Sequence, residues 1–422
     1  MKVCIIGTGY VGLPTGVGLC TLGHTVTCVD KDATKIAMLN YGKSTLYEPY
    51  LSELLKEHLK NKAIKFTTDT KEALKNAQVV ILAVGTPTSD DGKSADLTYI
   101  KQAAKEVAQN LPTTYTVICT KSTVPVGTND LIENIFNKYC IHNNWDIVSL
   151  PEFLREGCAI RDFFLADRIV IGTDSKRAKQ RLSTLYSNHN SEIYYTSRRS
   201  AELIKYASNA FLAIKINYIN EIANLCENCG AKVDEVAKGM GLDRRIGDKF
   251  LQAGIGFGGS CFPKDTKALS YTAQKFHTTV PLVDVAIHEN WYRALHLADK
   301  IQKLVPHNKK LAILGLTFKA NTDDCRESQA LKITQELASI YKGIKVYDPK
   351  GMDNAKKVLK NKVIYAKSVE SAIKQADAVV ILTGWKQFKV LKNLKKSAII
   401  IDYVNLLSEA KAKGHKYYCI GK

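Results

Sequence analysis

Short apolar runs alternate with amphipathic stretches along most of the chain, a pattern that predicts strands separated by helices. In the first half, the runs that predict strands cover residues 2–6, 25–29, 77–84, 115–120, 147–150, 168–172 and 192–195. In the C-terminal third they cover residues 309–314, 343–347, 376–382 and 398–403. Continuous apolar strands between helices indicate parallel sheets that are covered on both faces.

One long segment interrupts this alternation. Residues 200–225 contain no proline or glycine, and their apolar positions cover much of a helix circumference, which indicates burial between domains or subunits. Lys205 and Asn209 are spaced i, i+4 and share one face of this helix. They form either a polar handle in a crevice or a snorkelling lysine beside a surface asparagine. Further helices are predicted at 233–240, 267–277 and 283–304.

The predicted fold class is α/β, with two Rossmann-like doubly wound parallel-sheet domains joined by a long central helix and a small helical domain. At 422 residues the chain has room for roughly two or three domains. We place them at residues 1–198, 199–304 and 305–422. The similar runs at 76–82 and 375–382 support two sheet domains of like organisation.

The turn Gly7-Thr8-Gly9-Tyr10-Val11-Gly12 lies between the first predicted strand and a predicted helix, and the second strand ends at Asp30. A dinucleotide site requires this order, because the glycines let the backbone approach a pyrophosphate at a helix N-terminus. Asp30 would bind the adenosine ribose and repel a 2′-phosphate, which favours NAD over NADP. The alternative is a βαβ unit without a cofactor. Lys35, on the next helix, could balance Asp30 or reach the cofactor.

Polar residues also follow other strands, at the edge where doubly wound sheets bind their ligands. Thr86 and Thr123 follow two of these strands, and they could either contact the ligand or cap the next helix. Glu152, Arg155 and Glu156 follow a third strand. They suit the positioning of substrate or water, and the alternative is a surface salt bridge.

Residues 254–265 place four glycines ahead of Cys261, with Lys264 and Asp265 close behind. Glycine permits positive φ and close approach to a ligand, and Pro263 is expected to open the helix that carries Lys264 and Asp265. A thiol near a helix N-terminus and a lysine favours the reactive thiolate. The alternative is a structural loop with a buried, inert cysteine.

The C-terminal domain lacks the glycine fingerprint, which favours a different nucleotide there. Lys319 and Arg326 lie near the end of its first predicted strand, where they could meet phosphates. A net charge of +19, from 60 basic and 41 acidic residues, is compatible with a phosphate-bearing small molecule. The basic residues are scattered, without an arginine-rich tail, so nucleic acid is not expected as a partner.

The eleven cysteines are odd in number and irregularly spaced, which argues against a disulfide framework and favours the reducing cytoplasm. No tract is long and apolar enough to cross a membrane. We therefore predict no membrane partner, and we predict no metal site.

Six separated motifs resemble those of the UDP-glucose/GDP-mannose dehydrogenase family along essentially the whole chain. They lie at residues 7–12, 121–127, 151–157, 201–211, 256–265 and 323–328. Two positions depart from the common pattern: Gln329 stands where proline is common, and Phe250 where tyrosine is frequent. Neither departure removes a catalytic group.

The resemblance implies an NAD-dependent four-electron oxidation of a sugar C6 alcohol to a carboxylate. It implies Cys261 as the nucleophile, assisted by Lys205, Asn209 and Asp265. It also connects Glu152 with the substrate and the catalytic water, and Glu156 with the nicotinamide. Relatives oxidise GDP-mannose or N-acetylated UDP-sugars, and the intact motifs at 151–157 and 256–265 favour UDP-glucose over the N-acetylated sugars.

The resemblance further implies two sets of binding residues. Lys264 and Arg326 would contact NAD. The residues that would contact the nucleotide sugar are Phe153, Leu154, Arg155, Phe250, Leu251, Gln252, Ala253, Gly254, Gly258 and Lys319. Arg244 would reach in from the second subunit of a homodimer formed through the central helix.

The chemistry explains why a nucleophile is needed. An aldehyde yields a second hydride only after a nucleophile makes its carbon tetrahedral, and the Cys261 thiolate can do this. Lys205 and Asn209 would stabilise developing oxyanion charge, while Asp265, with Glu152 and Thr123 through water, would manage protons. A two-electron dehydrogenase would not need Cys261. A non-catalytic nucleotide-sugar sensor would tolerate the loss of Lys205 and Asp265.

Overall fold

The computed structural model describes residues 1–90, 92–391, 394–407 and 414–422. The chain forms two compact units, one of Met1–Ser208 with Gln274–Phe276 and one of Asn209–Ala273 with His277–Lys422. Within the described ranges, no helix combines the length and the hydropathy that a membrane span needs.

The first unit is a sheet with helices on its faces. Its strands are β1 (Lys2–Ile6), β2 (Thr25–Val29), β3 (Ile64–Thr67), β4 (Val79–Leu82), β5 (Thr116–Thr120), β6 (Trp145–Ser149), β7 (Arg168–Gly172) and β8 (Glu192–Thr196). Its helices are α1 (Gly12–Thr21), α2 (Ala33–Asn40), α3 (Leu51–Lys60), α4 (Thr70–Leu74), α5 (Thr98–Asn110), α6 (Thr128–Tyr139), α7 (Ala159–Phe164) and α8 (Lys176–Leu185).

The strand order in this sheet is β3-β2-β1-β4-β5-β6-β7-β8. The order reverses between β1 and β4, which pair in parallel, so their carboxyl ends form the crevice where doubly wound sheets bind ligands. The central strands are apolar throughout because successive side chains enter two different cores. One core holds Val3, Ile5, Val79 and Ile81, and the other holds Cys4, Ile6, Val80 and Leu82.

The sheet departs from the all-parallel prediction at one pair. Ser149 of β6 faces Gly172 of β7 in an antiparallel bridge, whereas β7 and β8 pair in parallel. An antiparallel step does not need the long crossover that a parallel step requires, and the segment between β6 and β7 contains only the short helix α7.

The central helix α9 (Arg198–Cys229) begins in the first unit and ends in the second. Its 32 residues correspond to about 48 Å of helix at 1.5 Å per residue. The sequence prediction of 200–225 is confirmed, and the helix extends further at both ends because no glycine or proline interrupts it before Gly230.

The second unit contains a smaller sheet. Its strands are β9 (Leu311–Leu314), β10 (Lys345–Tyr347), β11 (Ile364–Tyr365), β12 (Ala378–Ile381), β13 (Ile399–Asp402) and β14 (Lys416–Cys419). Their order is β11-β10-β9-β12-β13-β14, and all of these pairs are parallel. After α9 come α10 (Val233–Gly241), α11 (Phe262–Lys275), α12 (Pro281–Leu304), α13 (Gln329–Ala338), α14 (Met352–Leu359) and α15 (Val369–Ile373).

Every strand predicted from an apolar run is present, with ends that differ by no more than two residues. The helix predicted at 267–277 is shifted, because α11 begins at Phe262 and ends at Lys275. Pro263 is tolerated in the first turn, where a backbone donor has no partner to lose. Lys264 and Asp265 therefore lie on the first turn of this helix, as Pro263 had indicated.

Candidate active site

The glycine turn of the first unit connects β1 to α1 at the switch point of the sheet. Gly7 has φ +105°, and a Cβ on Gly12 would lie 1.9 Å from the Gly7 carbonyl oxygen, so no larger residue fits at Gly12. A Cβ on Gly9 would have nothing within 4 Å, so that side of the turn is open. The turn is thus closely packed at Gly12 and open at Gly9, directly before a helix. Such backbone can receive the pyrophosphate of a dinucleotide.

Asp30 lies directly after β2, beside this turn. Its Oδ2 accepts hydrogen bonds from the Thr8 amide at 3.0 Å, the Thr8 hydroxyl at 2.7 Å and the Lys35 ammonium at 3.0 Å. Burial acts to raise the pKa of Asp30, but these bonds outweigh it and the pKa lies below its usual value. Asp30 is therefore ionised at neutral pH, as a ribose-binding carboxylate must be, and Lys35 balances its charge.

Thr86 and Thr123 follow β4 and β5 and are joined to each other, since the Thr86 hydroxyl donates to the Thr123 carbonyl at 2.8 Å. The alternative that they cap the next helices is wrong. The N-cap of α5 is Leu97, and that of α6 is Gly127. Both threonines therefore lie at the carboxyl edge of the sheet without capping a helix, and Thr86 is buried there.

Glu202 of α9 holds the loop that follows Thr123, a role that sequence analysis did not assign. Its carboxylate accepts from the Gly127 amide, the Asn129 amide and the Asn129 side chain, each at 2.7 Å. These groups lie at the N-terminus of α6, where a carboxylate is favoured. Burial raises the pKa of Glu202, and the three bonds partly offset that effect.

Glu152 and Lys205 form a buried ion pair within the first unit. Glu152 Oε1 lies 3.2 Å from Lys205 Nζ, and the two side chains are 5% and 4% exposed. Glu152 Oε2 accepts from the Leu154 amide at 2.5 Å, which fixes the carboxylate. The Phe153 ring lies 5.3 Å from Lys205 Nζ and 4.2 Å from the guanidinium of Arg168. Lys205 is therefore an oriented buried cation and not a snorkelling surface lysine.

A second buried lysine, Lys121, lies close enough to influence this pair electrostatically. Burial lowers the pKa of Lys121 to about 8, while Glu152 acts to raise it and Lys205 to lower it. The protonated side chain thus costs folding energy below pH about 8, and the cost is relieved as pH rises from about 8 toward 10.5. Lys121 stood in a recognised motif, but its position in the chain gave no sign of its nearness to Glu152.

The outer part of the 151–157 segment is anchored by two carboxylates. The Arg155 guanidinium pairs with Asp162 at 2.6 Å, and the Arg155 amide donates to the same carboxylate at 2.9 Å. Glu48 accepts from the Gly157 amide at 2.8 Å. The Arg155 side chain is 62% exposed, so its contact with Asp162 is the surface salt bridge that the sequence analysis gave as the alternative. Glu152 is buried, so this alternative does not describe it. Glu156 lies between these anchors, partly buried.

Cys261 lies immediately before α11 in the second unit. Its carbonyl accepts from the Asp265 amide at 2.8 Å, and its Sγ lies 3.5 Å from the Ser260 hydroxyl. The thiol is half-buried, in contrast to Cys4, Cys28 and Cys119, which lie inside the first sheet domain. A half-buried thiol at a helix N-terminus has the surroundings of a reactive cysteine.

Asp265, on the first turn of α11, is fully enclosed by two donors. Its Oδ1 accepts from Lys264 Nζ at 2.5 Å, and its Oδ2 accepts from Asn209 Nδ2 at 2.6 Å. Asn209 is itself buried, on α9. The second unit thus brings together four of the predicted site residues, Cys261, Lys264, Asp265 and Asn209.

The glycines ahead of Cys261 fit closely against the protein itself. A Cβ on Gly258 would lie 2.5 Å from the Glu327 carbonyl oxygen, and one on Gly259 would lie 2.8 Å from the Phe318 ring. The Gly259 amide donates to the Arg326 carbonyl at 2.9 Å. These contacts place the cysteine turn beside the segment that carries Phe318 and Arg326.

Phe250, Lys319 and Arg326 lie on segments that contact this turn through an aromatic ring or the backbone. Phe250 has φ +65°, a left-handed conformation that costs energy for a residue with a Cβ, and its ring lies 6.0 Å from that of Phe262. Lys319 Nζ lies 5.4 Å from the Phe318 ring centre, and Arg326 pairs with Asp324 at 2.7 Å. Arg244 is exposed.

The second sheet has a turn like the one that follows β1, but here the carboxylate beside the turn is buried. Gly315, after β9, has φ +94°, and Asp348, after β10, accepts from the amide and the hydroxyl of Thr317, each at 3.1 Å, as Asp30 accepts from Thr8. Asp348 also accepts from Trp385 Nε1 at 3.1 Å and is fully buried. Asp30 is also bonded within the chain but its side chain is 15% exposed, whereas Asp348 is enclosed and does not offer its carboxylate to a ribose.

Three domains of one family match the chain in order. Residues 1–190 match the NAD-binding domain of the UDP-glucose/GDP-mannose dehydrogenase family, residues 199–292 its central domain and residues 312–409 its UDP-binding domain. The chain belongs to this family. Its cofactor is NAD, and when bound NAD supplies the hydride acceptor of a dehydrogenase. Among the described residues, no group of three or more His, Cys, Asp or Glu side chains could hold a metal ion.

Relatives match over the full length. A UDP-glucose 6-dehydrogenase of Rhizobium meliloti is 45% identical, covering 100% of this chain and 100% of its own length. The UDP-glucose 6-dehydrogenase YwqF of Bacillus subtilis is also 45% identical, covering 100% of this chain and 98% of its own. A solved UDP-glucose dehydrogenase from Pyrobaculum islandicum has a TM-score of 0.93 and 34% identity, covering 99% of this chain and 96% of its own. The predicted family and fold class are confirmed.

Proposed function

We propose that the protein oxidises UDP-glucose to UDP-glucuronate with two NAD, through a covalent intermediate on Cys261. The observation that carries the proposal is the half-buried thiol at the start of α11, one turn from the enclosed carboxylate of Asp265. Relatives that carry the name UDP-glucose 6-dehydrogenase and share 45% of this sequence support the choice of sugar.

The first half of the reaction removes a hydride and a proton from the C6 alcohol and gives an aldehyde. The Cys261 sulfur then forms a bond to the aldehyde carbon, and the carbonyl oxygen takes up a proton to give a thiohemiacetal. Loss of a second hydride and of that proton gives a thioester. Water adds to the thioester, the carbon–sulfur bond breaks, and the acid and the thiol are released.

Buried polar groups would stabilise the charge that develops on oxygen in these steps. Lys205, held by Glu152, offers a fixed ammonium group, and Asn209 retains a second amide N–H besides the one given to Asp265. Asp265 would exchange protons with the water that attacks the thioester, together with Glu152 and Thr123. We propose these five side chains, with Cys261, as the catalytic group.

The proposed site also contains residues that bind NAD and residues that bind the nucleotide sugar. For NAD we propose the turn at 7–12 with Asp30, Lys35, Thr86, Thr123, Glu156, Lys264 and Arg326. For the nucleotide sugar we propose residues 152–155, 250–254 and 258 with Lys205, Asn209 and Lys319, and Arg244 of a second subunit. The proposed domains are 1–198 for NAD, 199–304 for the cysteine and dimer formation, and 305–422 for the nucleotide sugar. The three family matches support this division.

We also propose a homodimer through the central helix. Phe211, Tyr218 and Leu225 recur every seven residues on α9 and are 62%, 49% and 59% exposed. A stripe of large apolar side chains on a helix is typical of a subunit interface. Sedimentation should therefore show a dimer that Tyr218→Asp dissociates, while Ile141→Asp, which changes an exposed apolar residue elsewhere, leaves the dimer intact.

All eleven cysteines are free thiols, which supports a reducing compartment.

A panel of UDP-glucose, GDP-mannose and UDP-N-acetylglucosamine, each with NAD and NADP, tests the substrate assignment. We expect kcat/KM for UDP-glucose with NAD to exceed every other combination by at least about tenfold. Asp30 disfavours the 2′-phosphate of NADP, so NADP should be poor with every sugar. A higher kcat/KM for GDP-mannose or the N-acetylated sugar would contradict the proposal while leaving the family chemistry in place.

A further inference from the structure

Three buried polar side chains hold the backbone that leads to Cys261. The Gly254 amide donates to Asn220 Oδ1 at 2.8 Å, and the Gly254 carbonyl accepts from Arg293 Nε at 2.6 Å. Three residues later, the Phe257 amide donates to Asn290 Oδ1 at 2.8 Å, and its carbonyl accepts from Asn290 Nδ2 at 2.9 Å. Two residues of an irregular segment, Gly254 and Phe257, thus have both their backbone N–H and their backbone C=O bonded by side chains of α9 and α12.

The segment is shaped to receive this contact. Gly256 has φ +109°, and a Cβ there would lie 2.5 Å from Asn290 Oδ1. Any larger residue at Gly256 would push the Asn290 amide away from the Phe257 peptide. The glycine and the asparagine therefore specify each other.

The burial of Arg293 is costly, which indicates that its contact matters. The side chain is 6% exposed, and burial lowers the pKa of its guanidinium to about 10. Within the described part of the chain, Arg293 Nη2 and Asn220 Nδ2 have no hydrogen-bond partner, and both residues line a cavity of about 190 Å³. Apolar side chains of similar size would be buried at a lower free-energy cost than Arg293 and Asn220. The presence of the two polar side chains therefore indicates that their hydrogen bonds to Gly254 are needed.

We propose that Asn290 is a positioning residue for the Cys261 nucleophile, and that Arg293 with Asn220 positions the substrate segment 250–254. The proposal rests on the proposed function. Gly254 ends the segment assigned to the sugar nucleotide, and Phe257 lies four residues before Cys261. Gly254 and Phe257 are bonded by different side chains. Loss of Asn290 therefore acts mainly on the position of the thiol, and loss of Arg293 acts mainly on substrate binding.

The first test is Asn290→Ala, with Asn217→Ala as the matched control. Asn217 is also a buried asparagine between α9 and α12, but it donates its hydrogen bond to the Ala286 carbonyl, at 2.6 Å, and not to the backbone of residues 254–257. We expect Asn290→Ala to lower kcat by about 10- to 100-fold, since small misplacement of a reacting group has effects of this size. The rate of alkylation of Cys261 by iodoacetamide, followed by mass spectrometry of its peptide, should fall at least about fivefold. Asn217→Ala should change neither quantity by more than about twofold.

The second test is Arg293→Met, with Arg293→Lys as the conservative variant. Methionine keeps the apolar stem but cannot donate to Gly254, so KM for UDP-glucose should rise about tenfold with kcat within about threefold of the wild-type value. Lysine restores a donor and should recover most of the lost affinity. A merely structural role would change stability without this division between KM and kcat.

The proposal is overturned if Asn290→Ala, at an equal folded fraction, matches Asn217→Ala in both kcat and Cys261 alkylation. It is also overturned if Arg293→Met and Asn290→Ala alter KM and kcat in the same proportion. Failure of the proposed function is distinguishable, because a wild-type protein that did not oxidise UDP-glucose would still show the difference in alkylation rate between Asn290→Ala and Asn217→Ala.

Discussion

Replacement of Cys261 by alanine should abolish formation of the acid without preventing the binding of NAD. Without the thiol, the aldehyde cannot be converted to a thiohemiacetal. There is then no tetrahedral carbon from which the second hydride can be transferred. We expect production of UDP-glucuronate to fall at least about 10³-fold, as for other enzymes that lose their nucleophile. The measurement is product by chromatography together with NADH absorbance, and NAD affinity by fluorescence or calorimetry.

The control is Cys140→Ala, which removes another half-buried thiol, at the end of α6. That residue contacts the helix through its backbone amide, which the substitution preserves, so activity should stay within about twofold of the wild type. Acid formation by Cys261→Ala at a rate near that of Cys140→Ala would show that the nucleophile lies elsewhere.

Lys205→Met should damage both catalysis and folding. The substitution removes the buried ammonium proposed to stabilise oxyanion charge, and we expect kcat to fall by about 10²- to 10³-fold. It also leaves the Glu152 carboxylate, 5% exposed, without its ion-pair partner. Breaking a buried pair from one side costs about 3–5 kcal/mol, and Lys121 nearby places the expected loss at about 3 kcal/mol. Denaturant unfolding and steady-state kinetics measure the two effects.

A double variant separates the two roles of Lys205. Glu152→Gln with Lys205→Met removes both charges, so most of the lost stability should return while kcat stays low. Lys65→Met is the surface control, because its pair with Glu72 is largely exposed and should change stability by less than about 1 kcal/mol. A Lys205→Met protein with normal kcat, or an active double variant, would remove Lys205 from the mechanism.

The sheet strands and the cofactor turn could be predicted from the sequence because local pattern determines them. A strand covered on both faces is a continuous apolar run, as in β4 and in residues 117–119 of β5, and the run is visible without knowledge of its neighbours. Edge strands carry a weaker signal. Ile64–Thr67 alternates buried and partly exposed residues, and Lys416–Cys419 is only partly buried, so neither stood out from the surrounding helices and loops.

The partners of the site residues could not be predicted, because they depend on pairing across long stretches of chain. Lys205 meets Glu152 from 53 residues away, and Asn290 meets Phe257 from 33 residues away. Sequence spacing showed that Lys205 and Asn209 share a helix face, but not that one bonds Glu152 and the other Asp265. The available signal for Asn290 was its spacing of four residues from Ala286 and from Ala294, which puts a polar residue on the apolar face of α12.

The cysteine turn illustrates the same limit. The sequence showed that glycines were required ahead of Cys261, and a close approach to ligand was the natural explanation. In the structure, Gly256 approaches Asn290, and Gly258 and Gly259 approach Glu327 and Phe318. The glycines therefore serve first to seat the turn within its own unit, which fixes the position from which the thiol acts.

The number of NADH formed per UDP-glucose shows whether one protein carries out both oxidations. With limiting UDP-glucose and excess NAD, we expect two NADH for each sugar consumed, with UDP-glucuronate as the sole sugar product and no free aldehyde captured by a hydrazine trap. One NADH per sugar with release of the aldehyde would contradict the proposed function, because the thiol would then have no second oxidation to support.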